Sequence, residues 1–138
     1  MDESPFAGFP PAGPAFLADL IDNNEKAWFE ANRAGWDDAL LAPARAFVRM
    51  AGSRLREFAP DVSVEPRVNG SIARINRDVR FSADKSPYKD HLDVMFWTGA
   101  KRTQAHSLFF WRLTADELIL GAGTHAFSKD ALARYRDA

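Results

Sequence analysis

The stretch Val62-Ser63-Val64-Glu65-Pro66-Arg67-Val68-Asn69-Gly70-Ser71-Ile72-Ala73-Arg74-Ile75 decides the fold. Before it, apolar residues recur every three or four positions. From it onward they alternate. Such a change of period marks the passage from helix to strand. Asn69-Gly70 predicts a type I′ hairpin turn, because both central residues of that turn take positive φ. Pro66 has no N–H to give to a ladder, so the first arm reads as an edge strand. In the second arm, 72–81, the alternation predicts Ala73, Ile75, Val79 and Phe81 on one face. Arg74, Asn76, Asp78 and Arg80 fall on the other, and Arg77 intrudes on the apolar side.

Upstream, residues 1–13 form an irregular arm broken by Pro5, Pro10, Pro11, Gly8 and Gly13, with Phe6 and Phe9 placed to tuck onto the core. A helical part over 14–59 follows. Pro14 suits a first helical turn, and Phe16, Leu17, Leu20 and Ile21 make a stripe. Asn24 is expected to cap the next helix, with Glu25 in its first turn. Trp28, Phe29, Trp36, Leu40, Phe47, Val48, Ala51, Leu55 and Phe58 keep helical spacing, and Pro43 predicts a kink or a fresh helix start. So apolar a stripe reads as core rather than as a binding face.

Downstream, 92–98, 106–113 and 117–122 predict a meander of strands with loops at Gly99 and at Thr114-Ala115-Asp116. Ser128 is expected to cap a last helix through Tyr135. No C-cap glycine follows, so we expect that helix to be cut short at Ala138. The result is an α+β fold in a single domain, 1–138. Its N-terminal helices pack on a mainly antiparallel sheet, 62–123, and a C-terminal helix begins over 128–137.

The bulk composition narrows the function. With 46% hydrophobic residues in 138, the chain can bury a core. It has no Cys, hence no disulfide framework and no thiolate metal site. The acidic start carries no basic, apolar leader, and no window reaches the ~18 apolar residues of a membrane span. We read a cytoplasmic protein. A net charge of −1 weighs against nucleic acid as the partner. That charge is unevenly spread: residues 1–66 hold six basic and eleven acidic groups, 67–89 six and two, and 90–138 six and six.

The basic excess falls on Arg74-Ile75-Asn76-Arg77-Asp78-Val79-Arg80-Phe81-Ser82-Ala83-Asp84-Lys85-Ser86-Pro87-Tyr88-Lys89. Arginine forks match carboxylate and phosphate oxygens. Arg74, Arg77, Arg80, Ser82, Lys85 and Lys89 are therefore the candidate ligand-binding residues for a small anion. Asp78 and Asp84 are candidate general bases and Tyr88 a candidate proton donor. The alternative makes the same cluster a structural ion network in a protein-interaction module, with Asp84 capping a turn at Ser86-Pro87. Neither a cofactor nor a metal is expected. His91, His106 and His125 lack ligand spacing. Gly121-Ala122-Gly123-Thr124-His125-Ala126 fits a loose dinucleotide fingerprint, but no second strand or ribose-holding acid follows it, so a glycine-lined turn or close backbone approach is expected. Bases could stack on Phe81, Tyr88, Phe96, Trp97, Phe109, Phe110 and Trp111, yet strand aromatics more often fill a core.

The run Arg77-Asp78-Val79-Arg80-Phe81-Ser82, then Asp84-Lys85-Ser86-Pro87-Tyr88-Lys89, resembles the signature of a bacterial family, domain of unknown function 2461. Phe9-Pro10, Phe16-Leu17, Asn23-Asn24 with Trp28-Phe29, Ser71-Ile72 with Arg74-Ile75, and Gly121-Ala122-Gly123 agree in order. The resemblance implies a longer protein with further C-terminal helices. It implies no activity, substrate or cofactor, and no role for His91.

Overall fold

The computed structural model describes residues 5–99, 108–124 and 129–138. Helix α1 spans Ala12–Asp22, α2 Lys26–Ala31, α3 Arg33–Trp36 and α4 Ala42–Leu55. Between α3 and α4, residues Asp37–Leu41 form a π-helical turn. The Ala42 N–H donates to the Asp37 carbonyl, five residues back. This wider turn brings Pro43 into the first turn of α4, where a residue without an N–H is tolerated. The predicted fresh start at Pro43 is thus met by widening the helix rather than breaking it. Trp36, Leu40, Ala44 and Val48 stand four residues apart and are all buried, which is one helix face turned inward. Phe16, Leu17 and Leu20 of α1 close over the same core with Phe29 of α2.

The sheet is a three-stranded antiparallel meander: β1 Leu92–Trp97, β2 Leu108–Leu113 and β3 Leu118–Gly123. Val94 pairs with Trp111 and Trp111 with Leu120. Leu92, Val94 and Phe96 alternate inward from β1, as a half-buried strand requires. The β2–β3 turn is held by Thr114, whose Oγ1 accepts from the Asp116 and Glu117 N–H groups. Phe9 stacks on Trp111 at 5.0 Å between ring centroids, and Phe6 meets Phe47 at 5.4 Å. The N-terminal arm therefore packs on the core as the sequence implies. Helix α5, Lys129–Asp137, lies exposed. Ser128, His106, His125 and the first two residues of the expected strand 106–113 lie outside the described residues.

Residues 62–81 depart from expectation. No regular strand forms there. Only isolated bridges appear: Ser63 to Trp97 and Ile72 to Val94 along the edge of β1, and Val68 to Ile72 and Asn76 to Tyr88 away from it. The backbone turns back on itself instead: Ser71 and Arg67 N–H groups both donate to the Glu65 carbonyl, and Ser71 Oγ accepts from the Glu65 N–H. Asn69 has φ 64°, but Gly70 does not share the positive φ, so the turn is not type I′. Gly52 explains part of the path. A Cβ there would come within 2.4 Å of Val64, so α4 lies directly on this segment. The alternation holds as far as Ile75. Phe81, expected on the inner face, is 94% exposed, because the chain has by then left the edge of β1.

Asn24 also departs from its expected role. The residue at the start of α2 with extended backbone is Glu25, and no side chain caps it. Asn24 instead reaches across the molecule to Tyr88. Among the described residues, no helix is long and apolar enough to cross a membrane.

Candidate functional site

The basic run 74–89 folds into a compact loop organised by one side chain. Arg77 Nη1 donates to the carbonyls of Ser86 at 2.9 Å and Asp84 at 3.3 Å, and lies 3.4 Å from the Asp84 carboxylate. Its Nη2 donates to Ser82 Oγ. The Arg77 N–H donates to the Pro87 carbonyl, so backbone and guanidinium both close the loop 82–87. Lys85 Nζ donates to the Val79 carbonyl and Lys89 Nζ to the Arg74 carbonyl, each at 2.7 Å. Arg80 grips Asp78 with two bonds, 2.9 and 2.7 Å, in full solvent. Four of the five cations therefore already hold protein oxygens.

The same contacts fix the carboxylates. Hydrogen bonds from the Arg80 side chain and N–H bring the Asp78 pKa down to about 2. Ser86 donates its hydroxyl and its N–H to Asp84 Oδ1, at 2.6 and 2.9 Å, and these bonds lower the Asp84 pKa. Asp84 thus makes the cap at Ser86-Pro87 that the alternative reading describes. A carboxylate held ionised this firmly is a weak proton acceptor.

Tyr88 is different. It is 5% exposed, and its ring stacks on Phe29 at 4.4 Å. Its backbone is pinned by Asn24: Nδ2 donates to the Tyr88 carbonyl at 2.9 Å, and the Tyr88 N–H donates to Oδ1 at 3.0 Å. One amide thus ties the α1–α2 junction to the basic run. The hydroxyl makes no hydrogen bond among the described residues. Burial raises its pKa; Glu30 raises it further, and Arg33 opposes. Both charged residues stand on the wall of a cleft of about 410 Å³, which α2 and α3 form with Val68, Arg74–Asn76 and Pro87.

The cleft wall contributed by α2 and α3 follows from spacing. Lys26, Glu30 and Arg33 stand at i, i+4 and i+7, hence on one helical face. Arg33 holds Glu30 at 2.8 and 3.2 Å. The side chains of Lys26 and Arg74, on opposite walls, make no ion pair or hydrogen bond among the described residues. The candidate residues thus divide: Arg74 and Tyr88 face this cleft. Arg77, Asp84, Tyr88 and Lys89 border a second cleft of about 430 Å³, with Asn24, Asp90 and His91. Arg80 and Lys85 line neither. Reading the sequence missed Lys26 and Asp37, although the i, i+4, i+7 charge ladder was a usable signal for the first.

His91 sits between two acids. Nδ1 is 2.7 Å from Asp90 and Nε2 is 3.4 Å from Asp93. Asp93, led by its hydrogen bond, raises the His91 pKa. Burial alone would raise Asp93, but Arg112, bonded to it at 2.7 and 2.9 Å, and His91 hold its pKa at about 2. Among the described residues no three His, Cys, Asp or Glu side chains gather for a metal ion. Gly121 and Gly123 lie within strand β3 with nothing closer than 4.0 Å to an added Cβ. The expected glycine turn or close approach is therefore replaced by plain strand. Phe96, Trp97, Trp111 and Tyr88 are buried, which removes them from any stacking platform.

A family model described as Conserved hypothetical protein (DUF2461) matches residues 13–138. No curated protein and no solved structure matches the chain.

Proposed function

The chain belongs to the conserved hypothetical protein family DUF2461, and from that premise we propose that this bacterial, cytoplasmic domain binds a small carboxylate- or phosphate-bearing ligand in the cleft between α2 and Arg74. One observation carries this reading. Lys26 and Arg74 line the same cleft without ion-pair partners among the described residues, beside Tyr88, whose hydroxyl makes no hydrogen bond among them. Glu30 and Asp78 act on these two cations only through space, and a cation that no carboxylate grips directly is the complement of an anion. The cluster is narrower than the basic run: Arg74 belongs to the ligand, whereas Arg77, Arg80, Lys85 and Lys89 hold the loop. Asp78 and Asp84 are engaged and weakly basic, so the reading is of binding rather than turnover. Tyr88 keeps its proton and serves as a hydrogen-bond donor.

A thermal-shift screen at low salt tests it. Ligand binding to the folded state alone raises the melting temperature, by about 2.7 kcal/mol of stabilisation at a hundredfold excess over Kd. A shift by phosphate or a simple carboxylate that disappears in Arg74→Ala and Lys26→Ala but survives in Arg80→Ala supports the site. No shift with any anion sinks it.

A second reading, a protein-interaction module, rests on a different feature. An apolar groove of about 350 Å³ runs between α4 and the β2–β3 part of the sheet, lined by Met50, Phe58, Phe109, Phe110 and Leu120 among others. The engaged cations are then purely structural. Under this reading anions leave the melting temperature unchanged, and substitutions such as Phe58→Ser abolish partner binding without unfolding the chain.

A further inference from the structure

The anion cleft carries more information than its charge. Its ionisable lining is Lys26, Arg33 and Arg74 against Glu30 and Asp37, a net of +1. One negative charge on the ligand neutralises that; a phosphomonoester dianion would leave one charge uncompensated in a partly desolvated site. Apart from Asn76 and Tyr88, the uncharged part of the wall is apolar: Trp36, Leu41, Val68 and Pro87 line the same space. Trp36 is 4% exposed, so it offers a fixed edge rather than a mobile lid. The Tyr88 hydroxyl, on a ring that is 5% exposed and clamped by Phe29 and Asn24, is a donor at this wall without a hydrogen-bond partner among the described residues. A space of about 410 Å³ exceeds what a bare carboxylate fills.

Building on the anion-binding reading above, we infer that the ligand is a monocarboxylate with an apolar body. Its carboxylate is held by Lys26, Arg74 and the Tyr88 hydroxyl, and its hydrocarbon part lies against Leu41, Val68 and Pro87. Phosphate and polar dicarboxylates are the classes this wall disfavours, because each would set a second charge against hydrocarbon.

The test is a heteronuclear NMR titration of the intact chain with acetate, hexanoate, benzoate, succinate and inorganic phosphate, following the Val68 and Tyr88 amides. Each buried methylene strengthens binding about fourfold. Hexanoate, with four more carbons than acetate, is expected to bind at least about tenfold tighter, with benzoate similar and phosphate weakest. Val68→Asn should weaken hexanoate and leave acetate unchanged. Tyr88→Phe, which keeps the stacked ring, should weaken both about tenfold. Equal affinity for acetate and hexanoate overturns the apolar body while leaving the anion site standing. Tighter binding of phosphate or succinate overturns the monocarboxylate. No perturbation at Val68 or Tyr88 by any of the five overturns the anion reading itself.

Discussion

Asn24→Ala removes both bonds that pin Tyr88, and its cost follows from the geometry. The two hydrogen bonds, at 2.9 and 3.0 Å, join groups 64 residues apart. A net hydrogen bond contributes about 0.5–1.5 kcal/mol, and a buried backbone group left without a partner costs about 1–3 kcal/mol. Tyr88 is buried, so water reaches its N–H and carbonyl poorly. Asn24→Ala should therefore destabilise the fold by about 2–4 kcal/mol, a fall in Tm of roughly 10 °C for a chain of this length. Urea unfolding gives the free energy, and hydrogen exchange at the Tyr88 amide reports the local loss. Asn23→Ala is the control. Among the described residues its side chain bonds only the exposed carbonyl of Asp19, so it should stay within about 0.5 kcal/mol of the parent. If Asn24→Ala also unfolds within about 0.5 kcal/mol of the parent, the clamp is not what holds the basic run to the helices.

Three other outcomes follow from described contacts. Gly52→Ala should destabilise the chain despite the better helix propensity of alanine, because the new Cβ would meet Val64 at 2.4 Å; Val64→Ala should restore stability, and a double-mutant cycle in urea measures the coupling. Arg77→Ala should cost about 1–3 kcal/mol and expose the loop 82–87 to limited proteolysis, since the guanidinium holds the Ser86 and Asp84 carbonyls. Asp93, whose pKa is depressed from 3.8 to about 2, contributes stability present above pH 4 and lost as pH falls toward 2, worth about 2 kcal/mol. The acid limb of the stability curve should flatten in Asp93→Asn. The raised His91 pKa acts in the opposite sense, adding stability at low pH that disappears as pH rises through the folded value.

The helices and the meander were legible because their periods are local. Trp36, Leu40, Ala44 and Val48 announce one buried face, and Thr114-Ala115-Asp116 announces a turn. The basic run was legible as chemistry but not as geometry. Its residues alternate like a strand through Ile75, yet nothing local says where pairing with β1 stops, so Phe81 was turned inward on paper and outward in the fold. Charge counting could not tell that Arg80 closes on Asp78 two residues away while Arg74 lines one cleft with Lys26. Asn24 carries the signal of a helix cap. Its partner lies 64 residues on, and only tertiary packing makes the pairing visible.

The two borders of the sheet are finished differently. Beside β1, the irregular segment around Ser63 and Ile72 covers the backbone at scattered points and bends away, so another strand finds no continuous row to join. On the far side, β3 presents Leu118-Ile119-Leu120, all exposed, with neither a charge nor a proline among them. Natural sheets usually guard such a border with lysine, a bulge or a kink. Among the described residues the sheet therefore has one open side, and ordered assembly by strand addition is expected to be seeded at β3. Ile119→Lys would then act as a chain terminator, lowering aggregation rate without altering the melting temperature of the monomer.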